Sequence, residues 1–330
     1  MNPISTHRLL MIRPARFGYN EQTRSTNAFQ AKNYPRGHGI DIKLDSSVPG
    51  DDRSDSISRQ YPFVQQALLE FDQSVARIQA AGVHVTVWND SPHPTKPDAV
   101  FLNNWFSTHP GGRYILYPMM AENRRIEIDP VHVAALEGIG LLKSLDLSPW
   151  TTQQQFLEGT GSLVFDHLHR VVFATESPRT HRKPAELVAQ HLNYTLIYLR
   201  AQDKHGTPPY HTNVVLAVGP SMAFVCLEVL EPSDSLSTQQ LLLRNQRPLI
   251  EISEEQMSSY CANVLEVQNT KGEPQLIASR TAWNAFTEQQ RKQISGVLNP
   301  IILDIPLIER VGGGSARCIL AELFGVPANP

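Results

Sequence analysis

Four reactive side chains stand along this chain at nearly constant intervals, each just ahead of an apolar run. Asp98 opens DAVFLNNW, Glu158 opens EGTGSLVF, His211 opens HTNVVLAV and Cys318 opens CILAELF; an amide, Asn263 in NVLEV, takes the remaining place in the series. The successive intervals are 60, 53, 52 and 55 residues. A thiol, an imidazole and two carboxyl groups form an inventory for nucleophilic catalysis. The thiolate attacks, the imidazole moves protons, and the carboxylates orient the imidazole or hold substrate N–H groups. That chemistry demands that residues remote in sequence share one pocket.

A period of this length means one supersecondary unit used repeatedly, so equivalent strand ends converge about a common axis. Each unit reads as hairpin, helix, strand. GSLVFD and RVVFATE are followed by KPAELVAQHL and YTLIYL. NVVLAV and MAFVCLEVL are followed by a helix near 235–245 and a strand at RPLIEI. ANVLEVQ and PQLIASR are followed by TAWNAFTEQQRKQIS as a helix and NPIILDIP as a strand. The last unit starts at Cys318 and lacks a hairpin partner, which HRLLMIR at residues 7–13 supplies, so the ring closes and both sheet edges are covered. One closed, pseudo-symmetric α/β domain over residues 1–330 is expected. Residues 14–60 are polar and irregular yet carry Phe17, Tyr19, Phe29 and Tyr34, the composition of a lid loop. The helix YPFVQQALLEFDQSVARIQAAG follows.

Composition narrows the class. A net charge of −3 with no basic, aromatic-interleaved run argues against a nucleic-acid surface. Three cysteines at wide spacing do not make a disulfide framework, and Cys226 and Cys261 sit in apolar surroundings as core residues. Residues 1–17 lack the apolar stretch of a signal peptide, and VVLAVGPSMAFVCLEVL is broken by Gly219-Pro220-Ser221 into a hairpin. A soluble, cytoplasmic protein in a reducing compartment with no membrane partner is expected. GGGSAR lacks the GK[ST] ending of a phosphate loop, and GTGS lacks dinucleotide spacing. His167 and His169 have no further ligands at metal spacing, so neither a cofactor nor a metal is expected.

The order Asp, Glu, His, Cys on this period, ending in a glycine-flanked cysteine, resembles the guanidino-group-modifying superfamily, the penteins. PDAVFLNNW resembles its first motif, with Asp98 and Phe101 in place; FLEGTGS resembles the glutamate segment, YHTNVV the histidine segment and GGGSARC the nucleophile. The resemblance spans essentially the whole chain. It implies a five-bladed αβ propeller, Cys318, His211 and Glu158 as catalytic residues, and Asp98, Phe101, Asn104 and Asn213 as substrate-binding residues. It also implies a small amino-acid substrate and allows a homo-oligomer built on the outer helices.

Two positions depart from the deiminases and dimethylarginine hydrolases of that superfamily. Asn104 stands where both carry a second aspartate, and Asn213 where the deiminases carry another, each against a cationic guanidinium. Each such charged hydrogen bond contributes roughly 1.5–3 kcal/mol, whereas an amide can donate to a carbonyl oxygen. The pattern therefore resembles the citrulline ureidohydrolase branch, acting on a neutral ureide to give ornithine, ammonia and carbon dioxide. The alternatives are an arginine or dimethylarginine deiminase that tolerates the amides, and a catalytically silent pentein that binds an amino acid. A neutral substrate brings no positive charge to the thiol, so a protonated His211 or a nearby arginine is expected to support the thiolate. For the substrate's α-carboxylate, Arg13, Arg16, Arg36 and Arg113 are available without a choice among them.

Overall fold

The computed structural model describes residues 5–30, 62–244 and 247–325. Its strands form five three-stranded sheets of one design. β1 (Arg8–Arg13) runs parallel to β2 (His84–Asn89), reached over the helix Pro62–Ala80. That helix buries Val64, Ala67, Phe71 and Ile78, the apolar face its 3.6-residue period dictates. In the next sheet β3 (Phe106–His109) is antiparallel to β4 (Arg113–Leu116), with Phe106 opposite Leu116, and β4 is parallel to β5 (Leu142–Asp146). The pattern recurs in β6 (Leu163–Asp166), β7 (Val171–Thr175) and β8 (Thr195–Leu199). It recurs again in β9 (Leu216–Val218), β10 (Ala223–Val225) and β11 (Leu249–Glu251), and in β12 (Leu265–Gln268), β13 (Pro274–Ser279) and β14 (Asn299–Leu303).

The chain's two ends meet in one sheet, as the pattern requires. β15 (Ala321–Glu322) pairs antiparallel with β1, Leu9 opposite Glu322 and Leu10 opposite Ala321. Neighbouring sheets are stitched by side chains: the Thr108 hydroxyl donates to the Glu322 carbonyl, and that of Thr212 donates to the Ser162 carbonyl.

The polar residues expected to begin strands lie instead in or just before single turns that precede the strands: Cys318 is inside one, Glu158 and His211 cap two others, and Asp98 stands four residues ahead of a fourth. Leu102–Asn104, Thr212–Val214 and Ala316–Ile319 are 3-10 turns, Gly159–Ser162 is one helical turn, and the strands start only at Phe106, Leu216, Ala321 and Leu163. Short buried apolar runs fit a turn or a strand equally by periodicity, and here Leu102, Val214 and Ile319 are fully buried within the turns. The turns lift the reactive side chains off the ends of the sheets. A second difference is at TAWNAFTEQQRKQIS, which is two helices, Arg280–Ala285 and Glu288–Ser295. Thr287 caps the second, its side chain accepting from Gln290 N while Gln290 reaches back, a capping box.

Of the lid expected over 14–60, residues 31–60 lie outside the described residues. No described helix is long and apolar enough to cross a membrane. All three cysteines are free and buried, and burial pushes the thiols of Cys226 and Cys261 up to about 12, the state of inert core residues.

Candidate active site

Cys318 is delivered by a helix and a tight glycine run. The helix Pro306–Gly312 is anchored at its start by the buried Glu70, whose carboxylate accepts from the backbone N–H of Leu307 and Ile308. Gly313 ends it at φ +69°, where a Cβ would lie 2.6 Å from the Asn27 side chain, so neither a side chain nor its usual backbone fits. Ser315 then donates to Glu309, and Cys318 N donates to the Ser315 carbonyl at 3.0 Å. The thiol is 3% exposed. Burial pushes its pKa above the ordinary range, against the opposing pull of the Ser315 and Asn263 hydrogen bonds.

His211 and Glu158 form one buried unit. His211 Nε2 lies 2.8 Å from Glu158 Oε2, and the other carboxylate oxygen accepts from Met120 N at 3.1 Å. Burial alone would push the Glu158 carboxyl up. The Arg179 guanidinium at 3.5 Å, the His211 hydrogen bond and Arg124 at 3.8 Å outweigh it and hold the carboxyl well below its usual range. An anion can only accept, so Nε2 carries the proton. Burial then drives the imidazole down to about 4, against the pull of Glu158, and it is neutral at pH 7. Its Nδ1 is buried and has no hydrogen-bond partner among the described residues. Gly161 makes room beside it: a Cβ there would sit 2.7 Å from Nδ1 and 2.6 Å from the Asn104 amide nitrogen.

The first unit supplies the facing wall. Asp98 Oδ2 accepts from Asn20 at 2.7 Å, while Oδ1 is buried with no partner among the described residues; burial pushes this carboxyl up, Arg124 opposing. Asn104 Oδ1 accepts from Arg124 Nη1 at 2.7 Å, and its Nδ2 donates to Asn103 Oδ1 at 3.0 Å. A guanidinium has no acceptor, so this contact fixes the amide with its oxygen toward Arg124 and its N–H groups away. Arg124 is itself clamped by Glu127 through a bidentate pair at 2.8 and 2.9 Å.

Cys318, His211, Asp98, Phe101 and Asn104 line one cleft of about 240 Å³, with Glu158 directly behind His211. Asn213 lies behind the thiol instead. Its Nδ2 donates to the Thr160 carbonyl at 3.2 Å and stands 3.8 Å from Cys318 Sγ, and its oxygen accepts from Asn263. Of the ionic support expected for the thiolate, a protonated His211 is not what the structure holds, while the charge of the nearby Arg317 does favour the thiolate, less than the Ser315 and Asn263 hydrogen bonds do. His211 is neutral, and Arg317 turns away to the Leu320 carbonyl and Glu322.

Sequence reasoning missed both guanidiniums of the cleft. Arg124 in AENRRIE and Arg179 in ESPRTH are each 2% exposed, and Arg179 is tied to Thr23 O and Thr26 Oγ1. Both lie outside the repeated strand-start positions; what marks them is burial against carboxylates, Glu127 three residues on for Arg124 and the remote Glu158 for Arg179. Arg13 instead pairs with Asp72 at the surface, Arg113 is exposed, and Arg36 lies outside the described residues. Residues 20–30 close one side through Asn20 on Asp98 and Asn27 on the Gly312 carbonyl. Among the described residues no group of three or more His, Cys, Asp or Glu is placed to hold a metal ion.

Residues 51–325 match the family model described as N,N dimethylarginine dimethylhydrolase, eukaryotic. No curated protein matches the chain in sequence. The chain is similar in structure to the N-terminal domain of ArgZ, an arginine dihydrolase from the ornithine-ammonia cycle in cyanobacteria, solved as a cysteine-to-serine mutant with substrate. The TM-score is 0.70 at 14% identity, over 96% of this chain and 98% of that one. It is similar also to AgrE in complex with L-arginine, with TM-score 0.69 and 15% identity over 98% of this chain and 41% of that one. A third similar structure is a dimethylarginine dimethylaminohydrolase adduct with S-methyl-L-thiocitrulline, with TM-score 0.62 and 16% identity over 96% and 99% of the two chains. At these identities the likeness establishes the mixed α/β fold.

Proposed function

The chain belongs to the dimethylarginine dimethylhydrolase family within the pentein superfamily, and from that premise we propose that it hydrolyses citrulline to ornithine, ammonia and carbon dioxide through a covalent Cys318 intermediate. In this reading the five sheets ring a common axis as a five-bladed propeller, a reading supported by the β15–β1 pairing and the threonine bridges between sheets. Cys318 thiolate attacks the ureido carbon. His211 Nδ1, the free face of the imidazole, takes up the thiol proton and gives it to the departing δ-nitrogen, which leaves as the amine of ornithine. A carbamoyl thioester remains. His211 then takes a proton from water as it attacks, the C–S bond breaks, and the carbamate released decays to ammonia and carbon dioxide. Glu158 keeps the imidazole in the tautomer with Nδ1 open.

The observation that carries the neutral-substrate reading is the Arg124 contact on Asn104. It turns the amide oxygen away and leaves one N–H beyond the bond to Asn103 for a substrate carbonyl oxygen, where negative charge develops on attack. Asp98 Oδ1 takes a ureido N–H, and Phe101 forms the apolar wall. Arg124 and Arg179, guanidiniums lining the cleft, spend most of their N–H groups on Glu127, Asn104, the Phe101 carbonyl, Glu158, Thr23 and Thr26, and so position the side chains around the reacting group.

One observation favours a second reading, an arginine or methylarginine substrate. Asp98 presents a buried carboxylate oxygen that a cationic N–H would also satisfy. Acid quenching during turnover and mass analysis of the Cys318 peptide separates the two. A carbamoyl adduct from citrulline supports the first, and a thiouronium adduct that still carries the amino acid, formed from arginine or a methylarginine as ammonia or the methylamine leaves, with none from citrulline, overturns it.

A further inference from the structure

Four of the five residues that open the repeated units have a place in the reaction proposed above. The fifth, Asn263, has none, yet it is fully buried and its Nδ2 lies 3.3 Å from Cys318 Sγ. The amide is locked in orientation. Its Oδ1 accepts from the backbone N–H of Arg317, the residue just before the nucleophile, at 3.1 Å. A backbone N–H can only donate, so the oxygen is committed there and the NH2 group must face the sulfur. One N–H goes to Asn213, whose Oδ1 is 3.2 Å and backbone carbonyl 3.3 Å away. The other is left for Cys318.

The side-chain N–H donors on the sulfur among the described residues are therefore amides. Asn263 is the nearer donor and Asn213 the farther, at 3.8 Å. The neighbouring titratable groups do not replace them. His211 gives its one N–H to Glu158 and keeps only an acceptor, Nδ1; Arg317 acts on the thiol through its charge alone, its guanidinium bonded to Glu322; and Tyr210 donates its hydroxyl to the Gly313 carbonyl. Hydrogen bonds to a charged acceptor are about twice as strong as those between neutral groups, so a donor aimed at sulfur favours thiolate over thiol.

We propose that Asn263 is a further catalytic residue, whose side-chain N–H holds and stabilises the Cys318 thiolate without supplying a charge. The same amide also meets the protonated state. Sγ lies 3.5 Å from Asn263 Oδ1, so the thiol can donate there, and the sulfur stays in one position as its proton leaves. The inference rests on Cys318 being the nucleophile and not on which substrate it attacks. A neutral support suits a site that must lodge a substrate's N–H groups against Asp98 without adding another cation near Arg124 and Arg179.

The test is the pH dependence of Cys318 alkylation by iodoacetamide, located by peptide mass analysis, with Cys318→Ser as the blank. Asn263→Ala removes the donor. Asn263→Asp keeps the acceptor for Arg317 N and the shape but turns a carboxylate oxygen toward sulfur. Both should shift the inflection upward, the aspartate more, with alkylation at pH 7 slowed about tenfold or more in Asn263→Ala. Far-UV circular dichroism and the thermal midpoint establish that the variants are folded. A residue with a packing role alone leaves the inflection of folded Asn263→Ala where the wild type has it, and that result overturns the proposal; the aspartate, whose charge acts on the sulfur in any case, serves only to show that this side chain faces Sγ. Failure of both variants to fold does so too, since it makes Asn263 a structural residue. Normal shifts without citrulline turnover would remove the citrulline reading and leave this inference standing.

Discussion

Replacing Asn104 by aspartate reverses the polarity of the one cleft group that the Arg124 contact orients. The new carboxylate still accepts from Arg124 Nη1, where the amide oxygen now sits at 2.7 Å. Its second oxygen replaces Nδ2 and faces Asn103 Oδ1 at 3.0 Å, so the Asn103 amide must turn over, giving up its donation to Thr160 Oγ1. Thr160 can donate to the turned oxygen, so this costs about 1 kcal/mol and the site survives. The effect on substrate is larger. A ureido oxygen that lost an N–H and met a carboxylate would forfeit about 1–3 kcal/mol, and a guanidinium would gain a charged hydrogen bond of roughly 1.5–3 kcal/mol. The ratio of kcat/KM for arginine to that for citrulline should rise by about two orders of magnitude or more in Asn104→Asp. Competition between the two substrates, read by ornithine and citrulline formation, measures that ratio directly. A ratio within threefold of the wild type, in a folded and active variant, would refute the claim that this amide selects for a neutral group.

Other outcomes follow from the same geometry. Gly161→Ala puts a methyl within 2.7 Å of His211 Nδ1 and 2.6 Å of Asn104 Nδ2, so kcat should fall at least a hundredfold and the thermal midpoint should drop as the crowded side chains shift; near-normal turnover would mean that Nδ1 does not face the reacting atoms. The pH profile of kcat/KM should show no step near the ordinary histidine value of ~6.5. It should instead rise toward an inflection above the ordinary thiol value of ~8.5, because burial raises Cys318 and lowers His211. Stability rises with pH as well, in a lower window. The folded imidazole titrates at about 4 against ~6.5 unfolded, so its contribution is full above pH ~6.5. As pH falls toward 4 up to about 3 kcal/mol is lost, and His211→Ala should flatten the fall in thermal midpoint over that window.

The repeat was legible because a polar residue ahead of an apolar run recurs at one period, and because the last unit, starting at Cys318, visibly lacked the strand that β1 supplies. Where each strand begins was not. Val100, Leu102, Val214 and Ile319 are as apolar in a buried turn as in a buried strand, so periodicity cannot distinguish the two. Cys318, His211 and Glu158 could be named because each opens a unit. Arg179 could not, since Glu158 reaches it only in the folded chain, and Arg124 could not, since Glu127 three residues on reads in sequence as an ordinary i,i+3 surface pair. Asn263 was visible as the opener of its unit, but an amide announces no chemistry until its distance to a sulfur is known. The protonation state of His211 was likewise beyond the sequence, because burial and two guanidiniums decide it.

The most direct test is product analysis after incubating the purified protein separately with citrulline, arginine and dimethylarginine, with Cys318→Ser as the blank. Ornithine formed from citrulline, and absent with the mutant, is the predicted result. Citrulline accumulating from arginine or its methyl derivatives, with no ornithine from citrulline itself, would contradict the account.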